Sequence, residues 1–181
     1  MSNAASAIAQ PKSDSVFKFV GFEGSPEAIV NYQERPIDIA KRLSIVVEHE
    51  AFRREPIARR RSTSRGVRFE GVALDEACRD LRISVNYPFL SRVLFPDAER
   101  REAACVRELI TSQACSSCAL DPKSEDEERR IIAPGSAYEV NEDGIRYPYL
   151  YVREGSVVLG FIKPTAFALK PSDIILVVCP R

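Results

Sequence analysis

The chain has 181 residues, of which 45% are hydrophobic and 29% are charged, a balance typical of globular domains and unlike that of disordered chains. Lysine plus arginine and aspartate plus glutamate number 26 each, so no net charge favours nucleic acid or an anionic membrane as a partner. The longest apolar runs are far shorter than the ~20 residues of a membrane-spanning helix, and no basic stretch followed by an apolar one begins the chain. We therefore expect a cytoplasmic protein with no membrane insertion.

The first third of the chain predicts one strand followed by two helices. Residues 1–15 are rich in alanine and serine without an amphipathic period, which favours a disordered arm. The β-forming residues of Val16–Phe22 predict a strand. Ser25–Tyr32 begins with serine, proline and glutamate, which is typical of a helix start. Pro36–Arg54 has apolar residues at the three-to-four spacing of one buried helical face, and so predicts a second helix.

The middle of the chain predicts an exposed loop, a strand and two helices within an α/β segment, 16–112. Seven arginines lie among serine, threonine and glycine in 53–68, which favours an exposed basic loop. Val67–Val72 predicts a strand. Asp75–Leu81 predicts a short helix capped by its aspartate, and Asp97–Ser112 predicts a longer capped helix with one apolar face.

The C-terminal part of the chain predicts β structure. Residues 113–130 hold an acidic run and favour a solvated linker, and 131–181 contains short β-rich runs separated by glycine- and proline-containing turns. Such closely spaced runs predict antiparallel hairpins or a small barrel-like sheet. The sequence therefore predicts an α+β fold, with helical N-terminal and central segments and a C-terminal antiparallel β unit.

Two sets of residues have the chemistry of a catalytic or metal site. His49 is the only histidine, so any nucleophile–histidine mechanism must use it, but its position between two glutamates predicts a surface residue of the second helix. Cys115 and Cys118 have the spacing of half a zinc site, yet no second such pair is present. With five cysteines, an odd number, and no secretory signal, we expect reduced thiols, no metal and no cofactor.

The basic loop contains the sharpest local charge feature of the chain. Arg59, Arg60 and Arg61 directly precede Ser62, the arrangement that basophilic protein kinases prefer. A phosphate on this serine would lie beside guanidinium groups able to bind it. The four residues are a candidate phosphorylation or polyanion-contact site, and a solvated loop paired with the acidic run is the alternative.

A family resemblance lies near the C-terminal end. A tyrosine-rich run from Tyr147 precedes Val157–Lys163, and the turn Leu169–Asp173 leads directly into the apolar run Ile174–Val178. This order resembles the end of the C-terminal subdomain of regulator-of-potassium-conductance (RCK, or TrkA-C) domains. The resemblance implies small-ligand or ion sensing and dimer formation, but Ser172 replaces the usual glycine and no ligand residue matches.

These features favour a non-enzymatic regulatory or protein-interaction module that senses a small ligand. We expect a homodimer or a protein partner, with the apolar strand Ile174–Val178 covered at the contact. Two alternatives remain open: a small enzyme using scattered carboxylates, and a nucleic-acid-binding protein acting through Arg53–Arg68.

Overall fold

In a computed structural model, the described residues are 17–57, 63–80, 101–123, 129–141, 144–163 and 168–181. They form a mixed sheet of ten strands with two short α-helices. The strands are β1 (Phe17–Val20), β2 (Glu27–Val30), β3 (Val46–Val47), β4 (Arg65–Leu74), β5 (Glu102–Ala103), β6 (Ile131–Ile132), β7 (Tyr138–Glu139), β8 (Ile145–Arg153), β9 (Ser156–Ile162) and β10 (Ile174–Pro180). The helices are α1 (Pro36–Arg42) and α2 (Val106–Ser112), and single 3-10 turns span Glu50–Arg53 and Glu76–Cys78.

The sheet joins strands from the whole chain, so the predicted α+β fold with helical N-terminal and central segments is wrong. Its main strand order is β1-β4-β10-β6-β8-β9-β3, with β2 paired to β4, β5 to β10 and β7 to β8. The pairs β6–β10 and β3–β9 are parallel and the others are antiparallel. The C-terminal strands are therefore not a purely antiparallel unit. Long-range strand pairing overrides the local helix signals in the first half of the chain.

The helix predicted over Ser25–Tyr32 is instead strand β2. Ser25 has φ of +46°, a left-handed conformation that no helix start adopts. The residues that follow are extended and pair antiparallel with the first half of β4. Ala28 and Val30 face the core, so burial on one side of a strand replaces the predicted helical face.

The helix that begins at Pro36 ends at Arg42, twelve residues earlier than predicted from the sequence. Ser44 has φ of +57°, and the N–H of Ile45 donates to the carbonyl of Ala40, which is the hydrogen bond of a Schellman C-cap. Serine takes the position where glycine is usual, so the sequence carries no obvious stop signal. The β-branched residues that follow then form β3.

The helix predicted over Asp97–Ser112 is also shorter, because β5 precedes it. α2 begins after Cys105, whose N–H donates to the Glu108 carboxylate at 2.7 Å. The first residues of the predicted helix lie outside the described part of the chain.

The strand predictions fare better. Strands lie within or across the predicted runs at Val16–Phe22 and Val67–Val72, and β6 to β10 lie in the segment 131–181 that was predicted to be β-rich. Asp75 caps a 3-10 turn, as its position predicted. The prediction for residues 1–15 concerns residues outside the described chain. No helix among the described residues is long and apolar enough to cross a membrane.

β10 is an interior strand with strands on both sides and apolar clusters on both faces. It pairs with β4 along one side and with β5 and β6 along the other. Ile174, Leu176 and Val178 belong to the larger core cluster, which also contains residues of α1 and α2, whereas Ile175 and Val177 belong to a second cluster on the opposite face. Its apolar surface is therefore covered within the chain, and the predicted dimer is not needed to bury it.

Candidate functional site

The sequence-predicted basic site cannot be placed. Arg59, Arg60, Arg61 and Ser62 lie outside the described residues, so the phosphorylation or polyanion site stays a prediction. The flanking parts of the predicted loop differ from the expectation, because Arg53 belongs to a 3-10 turn and the segment from Arg65 belongs to β4.

Cys115 and Cys118 lie in the turn that follows α2, where the N–H of Cys118 donates to the carbonyl of Cys115 at 3.0 Å. Cys118 is fully buried and Cys115 is partly buried. Burial raises the pKa of Cys118 to about 12 and also raises the pKa of Cys115, so both are protonated thiols at neutral pH. Metal binding and disulfide exchange need thiolates. Within the described ranges, no three histidine, cysteine or acidic side chains are grouped as a metal site requires.

The sequence predicted that His49 lies on an α-helix, but His49 instead caps the 3-10 turn that follows it. Its Nδ1 accepts a hydrogen bond from the N–H of Ala51 at 3.0 Å. A nitrogen that accepts this bond carries no proton, so the neutral imidazole holds its proton on Nε2. Nε2 is therefore a hydrogen-bond donor and not a ready general base.

Glu48 connects the end of β3 to the neighbouring strands. Its N–H donates to the carbonyl of Leu159 at 3.0 Å, beside the short parallel pairing of β3 with β9. Its Oε2 accepts from the Tyr151 hydroxyl at 3.0 Å, and its Oε1 accepts from the Arg153 guanidinium at 2.8 Å. Gly160 leaves room for this carboxylate, since a Cβ at that position would lie 2.7 Å from Oε2.

A pocket of about 240 Å³ opens next to these two residues, and its lining residues lie in or directly after four strands, β3, β7, β8 and β9. β8 pairs with β7 on one side and with β9 on the other, which brings the end of β7 and the end of β9 close to the residues that follow β3. The lining includes a carboxylate, a guanidinium, an imidazole and two apolar side chains: Glu48, Arg146, His49, Val140 and Phe161.

The Phe161 ring forms a rigid apolar wall of this pocket. It stacks on the fully buried Phe52 ring with centroids 4.0 Å apart, and the Tyr138 ring packs at 5.0 Å. The His49 ring meets Phe161 edge to face at 5.6 Å. Aromatic contacts on several sides fix the ring orientation, so the wall is formed before any ligand arrives.

The pKa shifts of the described residues are those that structural ion pairs and burial produce. Burial and the Glu48 hydrogen bond raise the pKa of Tyr151 to about 12, which keeps its hydroxyl protonated. Every pKa shift resolved in the described chain moves away from neutrality: tyrosines, cysteines and arginines upward, and Asp38 and Glu70 downward. General acids and bases need shifts toward the working pH instead.

Sequence reasoning singled out only His49 among the pocket residues. Arg146 and Phe161 lie on different strands, and linear spacing does not reveal that β8 brings them together. One signal was present in Gly160, because a glycine inside a β-rich run indicates close approach of another group. That group is the Glu48 side chain.

No protein-family model matches the chain, and neither a curated protein nor a solved structure is significantly similar to it.

Proposed function

We propose that this protein is a non-enzymatic regulatory module that binds a small zwitterionic ligand, such as a free amino acid, in the pocket beside His49. Arg146 and the Nε2–H of His49 suit a carboxylate, and Glu48 suits an ammonium group. The Phe161 ring suits an apolar side chain. The observation that carries the proposal is the state of His49, whose Nδ1 is occupied by the backbone so that the imidazole offers a donor.

An enzyme using carboxylates is the alternative, and the geometry supports it less well. The Glu48 carboxylate already accepts hydrogen bonds from Tyr151 and Arg153, which orient it as an anionic acceptor. The carboxyl pKa shifts that are resolved, at Asp38 and Glu70, are both downward. A general acid needs a raised pKa, so these groups are better suited to holding charge than to transferring protons.

Calorimetric titration with three related probes tests the proposal. L-leucine carries both charges, L-leucinamide lacks the carboxylate, and N-acetyl-L-leucine lacks the ammonium group. We expect L-leucine to bind most tightly, with each altered probe weaker by about tenfold, because each loses one charge-assisted contact. Equal binding of the three probes, or no binding, would contradict the proposal.

Two variants assign the charged contacts. Arg146→Gln should abolish the preference for L-leucine over L-leucinamide, and Glu48→Gln should abolish the preference for L-leucine over N-acetyl-L-leucine. The control is Arg79→Gln, which removes an exposed arginine paired with Glu76 outside the pocket and should leave both preferences unchanged. If Glu48→Gln instead tightens binding of the acetylated probe alone, the ligand is a simple anion and the zwitterion assignment fails.

A further inference from the structure

A second pocket, of about 350 Å³, lies by β1, at the opposite end of the strand order from β3 and β9. Lys18 of β1 lies directly opposite Ala73 of β4, so their side chains share one face of the sheet. Arg129, just before β6, and the turn before β10 complete the pocket. Its lining is Lys18, Val20, Ala73, Arg129, Pro171, Ser172 and Ile174.

Neither cation of this pocket has a carboxylate partner among the described residues. The described residues provide neither Lys18 nor Arg129 with a hydrogen bond or ion pair, and the pocket lining includes no carboxylate. The adjacent Arg130 shows the contrast, because its guanidinium makes two bonds of 2.7 Å to Asp173. Asp173 is fully buried and already accepts these bonds, whereas Arg129 is the arginine that lines the pocket.

The turn that forms one wall is held in place before any ligand binds. The N–H of Lys170 donates to Asp173 Oδ2 at 2.8 Å, and the N–H of Asp173 donates to the Lys170 carbonyl at 3.0 Å. These bonds fix Pro171 and Ser172 between them. The site therefore presents a hydroxyl on a rigid turn, two cations, and an apolar floor of valine, alanine, proline and isoleucine.

We propose that this second pocket binds a phosphate monoester with an apolar organic group. Guanidinium, ammonium and hydroxyl donors match the several oxygens of a phosphate, and cations without a carboxylate partner among the described residues favour a dianion over a neutral ligand. The apolar floor suits the organic part. The site is separate from the pocket beside His49 and shares no residue with it.

Titration of the full chain with phenyl phosphate, followed by calorimetry and by amide chemical shifts, tests this. We expect Lys18→Gln and Arg129→Gln each to raise Kd about tenfold, and inorganic phosphate to bind several-fold more weakly than phenyl phosphate. Lys18 is exposed and Arg129 is partly buried, and neither makes a hydrogen bond or ion pair with another described residue, so neither replacement removes such a bond from the described part of the chain. The matched control, Lys41→Gln on α1, should change Kd by less than twofold.

Three results would overturn the assignment. The first is no binding of phenyl phosphate at tens of millimolar, and the second is binding that the double variant Lys18→Gln/Arg129→Gln leaves unchanged. The third is phenyl phosphate binding that depends on Arg146, which would place the anion in the pocket beside His49. If the unmodified chain binds phenyl phosphate but not L-leucine, the proposed function is refuted and the assignment of this second pocket stands.

Discussion

Replacing Asp173 by asparagine should destabilise the fold by about 3 kcal/mol. Its fully buried carboxylate accepts two bonds from Arg130 at 2.7 Å and one from the N–H of Lys170 at 2.8 Å. The asparagine amide keeps one acceptor oxygen, but its NH₂ group would face one of the donors, Arg130 or the N–H of Lys170, so at least one of these hydrogen bonds is lost. Removing one partner of a buried pair costs about 3–5 kcal/mol, and the Arg130 side chain keeps 22% exposure, so water offsets part of the loss.

Urea unfolding followed by circular dichroism measures this loss as a lower midpoint with an unchanged slope. The control is Asp38→Asn, which removes the same kind of contact from an exposed pair with Arg35, whose side chain is 63% exposed. Water screens that pair, so we expect little change. If Asp173→Asn lowers the midpoint no more than the control does, the buried ion pair is not what secures the turn before β10.

Three further outcomes follow from the structure. The Tyr151 hydroxyl has its pKa raised from 10.0 to about 12, so its contribution to stability is complete below pH 10 and is lost as the pH rises toward 12; Glu48→Gln should lower that pKa in a tyrosinate titration. Cys118, with a pKa of about 12, should resist iodoacetamide at neutral pH until urea unfolds the chain. Gly135→Ala should cost about 2–3 kcal/mol in urea unfolding, because its Cβ would lie 2.7 Å from a backbone oxygen, whereas Gly21→Ala meets no atom within 4 Å and should cost far less.

Most of the strands and the local antiparallel hairpin of β8 and β9 were predictable, but the long-range pairing was not. The run Ile174–Val178 is apolar at both odd and even positions, which is the mark of a strand buried on both faces. The structure places it between β4 and the pair β5 and β6, with a cluster on each face. Its main partner β4 is about a hundred residues away in sequence, and no local feature specifies such a contact.

The helix errors have two local causes. The predicted start at Ser25 has good capping chemistry, but the residues that follow gain more from pairing with β4 than a short isolated helix would supply. The helix from Pro36 ends at a Schellman cap with Ser44 in the left-handed position, a role that usually belongs to glycine. A sequence reading based on glycine and proline therefore extends that helix too far.

The candidate site was predictable only in part. A sequence shows which side chains are charged or reactive, but it does not show which of them come together in one pocket. His49 stood out as the only histidine, yet its role depends on one backbone hydrogen bond from Ala51. Arg146 had no local signal, since its place in the pocket follows from β8 lying between β7 and β9.

The position of the pocket beside His49 suggests which strand pairing the proposed ligand would stabilise, with no reaction involved. β3 is a two-residue strand at the end of the sheet, and Glu48 fastens it through one backbone bond to Leu159 and through its carboxylate. Glu48 and His49 follow β3, whereas Arg146 and Phe161 belong to β8 and β9. A ligand that contacts both groups would bridge this edge, and its binding energy would stabilise the two-residue pairing of β3 with β9.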